Sequence, residues 1–157
     1  LVCHLPATPS PDPALDKVRI SSHLTCVGGQ VTTALATCTA MGLRTRYVGA
    51  IGSDERGRLM RAELTRRGID LSFAVDANGE NPFAIILIDD RTGERMVLWH
   101  RNHASTVQPN TLRDAALSSA RLVHVDDVDL DLAIEAARRA RAIGLPVTSE
   151  SKSSALM

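Results

Sequence analysis

Aromatic residues are nearly missing from this chain, at 3% of its 157 residues. Any core is therefore aliphatic, and a hydrophobic share of 44% is enough to build one. Net charge is missing too, since Lys+Arg and Asp+Glu are both 18. That balance argues against a strongly basic nucleic-acid binder and against a polybasic membrane anchor. No apolar run reaches the roughly 18–20 residues of a membrane span. The opening residues carry neither a basic stretch nor a continuous apolar one, so they do not read as a secretion signal. There is no Cys-x-x-Cys pair. The cysteines are odd in number (Cys3, Cys26, Cys38), which suits reduced thiols in the cytoplasm.

What the chain does have is a run of punctuating glycines across residues 27–57. Gly28-Gly29 opens a helix-like segment that Gly42 closes. A short strand then ends in Gly49-Ala50-Ile51-Gly52, and Asp54 caps a further helix. A glycine pair lets backbone come close to a ligand because no β-carbon intervenes. The free N–H groups of the helix's first turn then face that ligand. A tight turn into a packed helix is the plainer alternative for such a pair.

The rest reads as follows. Residues 1–13 are a proline-rich loop, and residues 17–24 alternate as a half-exposed strand. The first helix buries Ala34, Leu35, Cys38 and Met41, and its threonines make it dependent on packing. Residues 46–51 form a strand. The next helix turns Leu59, Met60 and Leu64 inward, with its arginines on a solvated face and Glu63–Arg67 as an i,i+4 pair. Residues 68–70 lead into residues 73–75, and residues 83–88 and 95–99 form a hairpin around Gly93. Residues 109–120 are expected to be a helix with Leu112, Ala115, Ala116 and Leu117 buried. Residues 122–125 are a buried strand, residues 130–143 an amphipathic helix, and Gly144 closes it before a last strand at residues 146–148.

Three side-chain groups invite chemistry. Asp126, Asp127, Asp129 and Asp131 lie past the end of a strand, where ligands of open α/β sheets sit. An acidic loop that caps the next helix is the alternative. Trp99 could stack on a sugar or pack in the core or a lid. His100 and His103 have a His-x-x-His spacing, but they follow a strand and have no further ligands nearby, so no metal site is assigned.

The glycine spacing resembles the N-terminal signature of the pfkB (ribokinase-like) carbohydrate kinases. Gly28, Gly29, Gly42 and Gly52 fall on its glycines, with Asp54 and Gly57 as the continuation. Thr33 stands where the family usually has asparagine, which bears on the sugar preference. Val31 and Leu35 stand where small residues are usual. The resemblance implies an α/β, Rossmann-like sheet with helices on both faces and a small β lid. It implies a single partial domain over residues 1–157, incomplete at both ends, with lid-like segments at about 17–24 and 69–99. The implied substrate-binding residues are Gly28, Gly29, Thr33, Asp127 and Asp129. The implied reaction is ATP-dependent phosphorylation of a sugar or nucleoside hydroxyl, with Mg²⁺, and the lid could pair two copies as a homodimer.

The family's catalytic aspartate sits in a Gly-Ala-Gly-Asp turn, and no such turn occurs here. Gly52-Ser53-Asp54 and Gly68-Ile69-Asp70 are in the wrong context. The expectation is a fragment with the substrate-side half, no catalytic base, and no nucleotide or Mg²⁺ bound. Three rivals belong to other classes. One is a non-catalytic sugar-binding or dimerisation module. The second is a phospho-acceptor domain, disfavoured because Lys17 and Lys152 are the only lysines and neither follows a fitting strand. The third is a nicotinamide-binding domain, which lacks Gly-x-Gly-x-x-Gly.

Overall fold

The computed structural model describes residues 1–6, 19–102 and 106–150. The chain divides into two compact units, each assembled from separate stretches: Leu1–Cys26 with Pro82–Arg101, and Val27–Asn81 with Asn102–Met157.

The first unit is a four-stranded sheet of β1 (Val2–Leu5), β2 (Ser22–Leu24), β5 (Phe83–Asp89) and β6 (Arg95–His100), in the order β2-β1-β5-β6. β1 pairs antiparallel with β2 and parallel with β5, in the register Cys3↔Leu87. β5 and β6 form the expected hairpin, with Ile86 opposite Val97. Its turn is built by Asp89, which is 2% exposed and whose Oδ1 accepts the N–H groups of Arg91 at 2.7 Å and Thr92 at 3.2 Å. Gly93 takes a positive φ of 74°, as the return of a tight turn requires. Of the strand expected at residues 17–24, Ser22–Leu24 is in the sheet and exposed, while residues 17 and 18 lie outside the described residues.

The second unit contains two β-α-β repeats. In one, α2 (Glu55–Arg66) joins β3 (Ala50–Gly52) to β4 (Val75–Ala77), which run parallel. In the other, α3 (Leu130–Ala142) joins β7 (Val123–Asp126) to β8 (Val147–Glu150), again parallel. α1 (Gln30–Ala40) precedes the first repeat and packs beside β7. Ile51, Met60, Leu64 and Ile69 form one core cluster, and Leu112, Leu117, Val125, Leu132 and Ala136 belong to another. α3 is held by small residues, with Ala140 at 0% exposure, and its arginines bond back to Glu135.

Five local expectations are corrected. Within the stretch expected to be a loop, residues 1–13, Val2–Leu5 is the strand β1. Residues 109–120 are not one helix but two single 3₁₀ turns, Pro109–Thr111 and Asp114–Ala116. Leu112 and Arg113 between them are extended. Arginines from elsewhere take the carbonyls that a helix would use: Arg139 bonds Leu112 O at 2.8 Å and Arg46 bonds Ala116 O at 3.1 Å. Leu112, Ala116 and Leu117 are still buried, but Ala115 is exposed. In α2, Leu59 is 46% exposed while Met60 and Leu64 face inward.

In α1 the buried residue is Thr32, and Met41, sitting at the C-cap, is 76% exposed. The hydroxyls of Thr32, Thr37 and Thr39 bond back to the carbonyls of Gly28, Thr33 and Leu35, so they are satisfied within the helix. The strand expected at residues 46–51 shrinks to Ala50–Gly52 plus an isolated bridge from Arg46 to Asp70. Tyr47 interrupts it by folding its hydroxyl back to Ala50 O at 3.2 Å.

Candidate active site

Gly29 is the N-cap of α1, with φ 110° and ψ 153°. That backbone is open to glycine and strained for other residues, so the chain enters the helix with its first-turn N–H groups facing out. Thr33 N–H closes the first helical bond on Gly29 O at 2.9 Å. The Thr33 side chain is exposed and lines a cleft of about 330 Å³ between α1 and α2, together with Thr37, Glu63 and Arg67. Gly28 has open space where a β-carbon would stand, so packing does not explain its lack of a side chain.

The acidic residues lie past β7, which α1 packs beside. Asp126 ends the strand, and its carboxyl is pushed up chiefly by burial, with repulsion from Asp127 and Asp129 adding to it. The N–H of Val128, bonded at 3.2 Å, works in the opposite direction. Asp127 is exposed, and Asp129 is the N-cap residue of α3 without a side-chain cap bond. The second unit thus carries all five expected site residues: the glycine pair and Thr33 at the start of α1, Asp127 and Asp129 between β7 and α3. Trp99 and His100 are in β6 of the first unit, and Trp99 is 75% exposed. His103 lies outside the described residues.

Reading the sequence missed Asn81. It saw Asp54 as a helix cap, which it is: Gly57 N–H donates to Asp54 Oδ1 at 2.9 Å. The same oxygen also accepts the N–H of Asn81 at 3.1 Å. The Asn81 side chain in turn accepts the N–H of Gly52 at 3.0 Å. Burial pushes the Asp54 carboxyl up, but the N–H groups of Gly57 and Asn81 and the Arg56 guanidinium outweigh it, and its pKa is lowered. The Asn81-Pro82 dipeptide, a turn signal, was the available clue.

The profile of the pfkB family carbohydrate kinases matches residues 18–155. The chain belongs to that family. An uncharacterized sugar kinase of Archaeoglobus fulgidus is 38% identical over 58 residues, 37% of this chain and 23% of that protein. An ATP-dependent ribose-1-phosphate kinase of Halopiger xanaduensis is 27% identical over 133 residues, 84% of this chain and 45% of that protein.

Among solved structures, a protein assigned as a ribokinase from Agrobacterium tumefaciens superposes with a TM-score of 0.82 at 27% identity, covering 92% of this chain and 46% of that one. A fructokinase from Xylella fastidiosa with bound ATP gives a TM-score of 0.73 at 22% identity, covering 98% of this chain and 51% of that one. The fold of the chain is therefore ribokinase-like, and the chain spans less than half the length of these curated relatives. Among the described residues, no helix is long and apolar enough to cross a membrane, and no group of three or more His, Cys, Asp or Glu could hold a metal ion.

Proposed function

We propose that this chain is the substrate-side half of an ATP-dependent sugar kinase, one domain in which the hairpin unit serves as the lid. The observation that carries the reading is the entry into α1. A glycine pair with φ 110° at Gly29 presents helix N–H groups, within a stretch that the pfkB profile covers. In this reading Gly28, Gly29 and Thr33 hold substrate hydroxyls from the α1 side, and Asp127 and Asp129 accept from hydroxyls on the β7 side. Carboxylates and backbone N–H groups are the complementary partners a polyol needs.

The residues present do not fit ATP. No Gly-Ala-Gly-Asp turn occurs in the 157 residues. Several arginines are held by carboxylates: Arg66 and Arg67 by Glu63, Arg138 and Arg139 by Glu135, and Arg46 by Asp70. The base, the nucleotide site and the Mg²⁺ belong, on this proposal, to sequence beyond this chain. The three free cysteines favour a reducing, cytoplasmic setting.

The test has two arms. The chain with ATP, Mg²⁺ and ribose, fructose or adenosine should give no phosphorylated product. Titration with the same compounds should show saturable binding that weakens in Asp129→Asn. Turnover by the chain alone, or no binding by any sugar or nucleoside, sinks the proposal.

A second reading rests on β6. Met96, Val97, Leu98 and Trp99 are consecutive and between 47% and 75% exposed on an edge strand. An apolar edge of this kind invites a partner. We propose a second copy of the chain there. Sedimentation equilibrium should report a dimer that Leu98→Asp dissociates, and a monomer at every concentration would overturn it.

A further inference from the structure

The cleft of about 330 Å³ between α1 and α2 is at the lower end of the roughly 300–1,000 Å³ that small-molecule sites occupy. Val27, Ala36 and Leu64 give it apolar surface. Val27 stands just before Gly28-Gly29, and Thr33 N–H bonds to Gly29 O at 2.9 Å, so the cleft opens beside the glycine pair. Two of its polar side chains are uncommitted. The hydroxyls of Thr32, Thr37 and Thr39 each bond the carbonyl four residues back, whereas Thr33 Oγ1 has no partner among the described residues.

Arg67 is the second. Arg66 and Arg67 share Glu63 unequally. Arg66 grips it with both Nε and Nη2, at 2.8 Å each. Arg67 uses Nε alone, at 2.7 Å to Oε1. The terminal nitrogens of Arg67 have no acceptor among the described residues, and Arg67 rather than Arg66 lines the cleft. Two guanidiniums against one carboxylate leave this group net positive. A guanidinium braced through Nε keeps its outer N–H groups paired and available, which is the donor geometry that matches phosphate or carboxylate oxygens.

We infer that the α1–α2 cleft seats the oxyanion of a monosaccharide carrying a phosphate or a carboxylate, with Arg67 as the residue that selects it. Thr33 meets a hydroxyl of the same molecule, and the apolar surface takes its carbon face. The inference rests on the sugar-kinase reading and narrows its substrate class to acidic sugars.

The experiment is calorimetric titration of the 157-residue chain with two pairs of ligands. D-ribose 5-phosphate is set against D-ribose, and D-gluconate against D-glucitol. In one pair the acidic member should bind about tenfold tighter or more, and which pair shows it tells phosphate from carboxylate. Arg67→Gln should bring that ratio to about one. Arg66→Gln removes the same charge outside the cleft wall and should keep most of the preference. No preference in either pair overturns the inference, as does a preference that survives Arg67→Gln or falls equally in Arg66→Gln. If Arg67→Gln does not fold, Arg67→Lys decides. It keeps the charge without the fork and should lose the preference severalfold, and an unchanged ratio overturns the inference.

Asp129→Asn separates this inference from the reading it rests on. Neutral ligands that bind, and bind more weakly in Asp129→Asn, leave the sugar reading standing even where the acidic preference is missing and the inference fails. An acidic preference that needs Arg67 and ignores Asp129→Asn supports the oxyanion seat and removes Asp129 from the sugar site.

Discussion

Gly57 is packed against the carbonyl of Gly52 so closely that a β-carbon on Gly57 would lie 2.6 Å from the Gly52 carbonyl carbon and nearer still to its oxygen. The two glycines bracket Asp54, and their spacing is a matter of backbone contact between the end of β3 and the first turn of α2. Gly57→Ala should therefore cost about 3 kcal/mol or abolish cooperative folding, because the clash is with main chain that cannot swing aside. Urea unfolding checks this, and a midpoint shift worth less than about 1 kcal/mol would refute the packing argument.

Gly28→Ala is the opposite case. With no atom within 4 Å of the added carbon, stability should change by no more than about 0.5 kcal/mol. If Gly28 is glycine so that a sugar can approach, binding should fall at least severalfold while the melting temperature holds. Unchanged sugar affinity in Gly28→Ala would remove Gly28 from the site.

Asp70, in the connection between α2 and β4, is tied to Arg46, which precedes β3. The N–H of Ser72 and the Arg46 guanidinium hold its pKa at about 2, below the ordinary 3.8. A carboxylate lowered on folding contributes stability that is whole above pH about 3.8 and is lost as the pH falls toward 2. Because Asp70 is 40% exposed, the contribution is modest. Asp70→Asn should lower stability near neutral pH and flatten its decline between pH 4 and 2 (about the two pKa values). Parallel acid limbs in the two proteins would exclude Asp70 as a source of the slope.

Arg46 joins more of the second unit than any sequence pattern suggests. Its guanidinium bonds Asp70 at 2.8 Å and Ala116 O at 3.1 Å, and lies 4.8 Å from the centroid of the Phe73 ring. Arg113 lies 4.6 Å from the same ring. Arg46→Lys keeps the charge but not the planar fork, so it should still lose roughly 1–2 kcal/mol. Equal thermal stability in Arg46→Lys would show that charge alone matters there.

The legible parts of the sequence were those with a local cause. Asp54 as a cap, Gly144 as a terminator and the Glu63–Arg67 pair depend on neighbours within one or two turns, and the structure has them. The 3₁₀ turns at Pro109–Thr111 and Asp114–Ala116 were not legible. Their carbonyls are taken by Arg46 and Arg139, which are distant in sequence, and helical spacing of leucine and alanine carries no trace of that competition. Asn81 was missed for the same reason: its partners are Gly52 and Asp54, nearly thirty residues back. The glycine pair was read correctly as a helix entry, because a positive φ at Gly29 is a local demand.

β1 lies between β2 and β5, so one of its two neighbours is made more than seventy residues after it. At ribosomal speeds of about 5–20 residues per second, β1 waits several seconds for that neighbour. In the interval Cys3 and Leu5, both buried in the finished sheet, have only one flank covered. The order of the sheet therefore sets an order of birth: the second unit's β3, α2 and β4 are complete before the first unit can close, and a nascent chain stalled before Phe83 would be the form most in need of a chaperone.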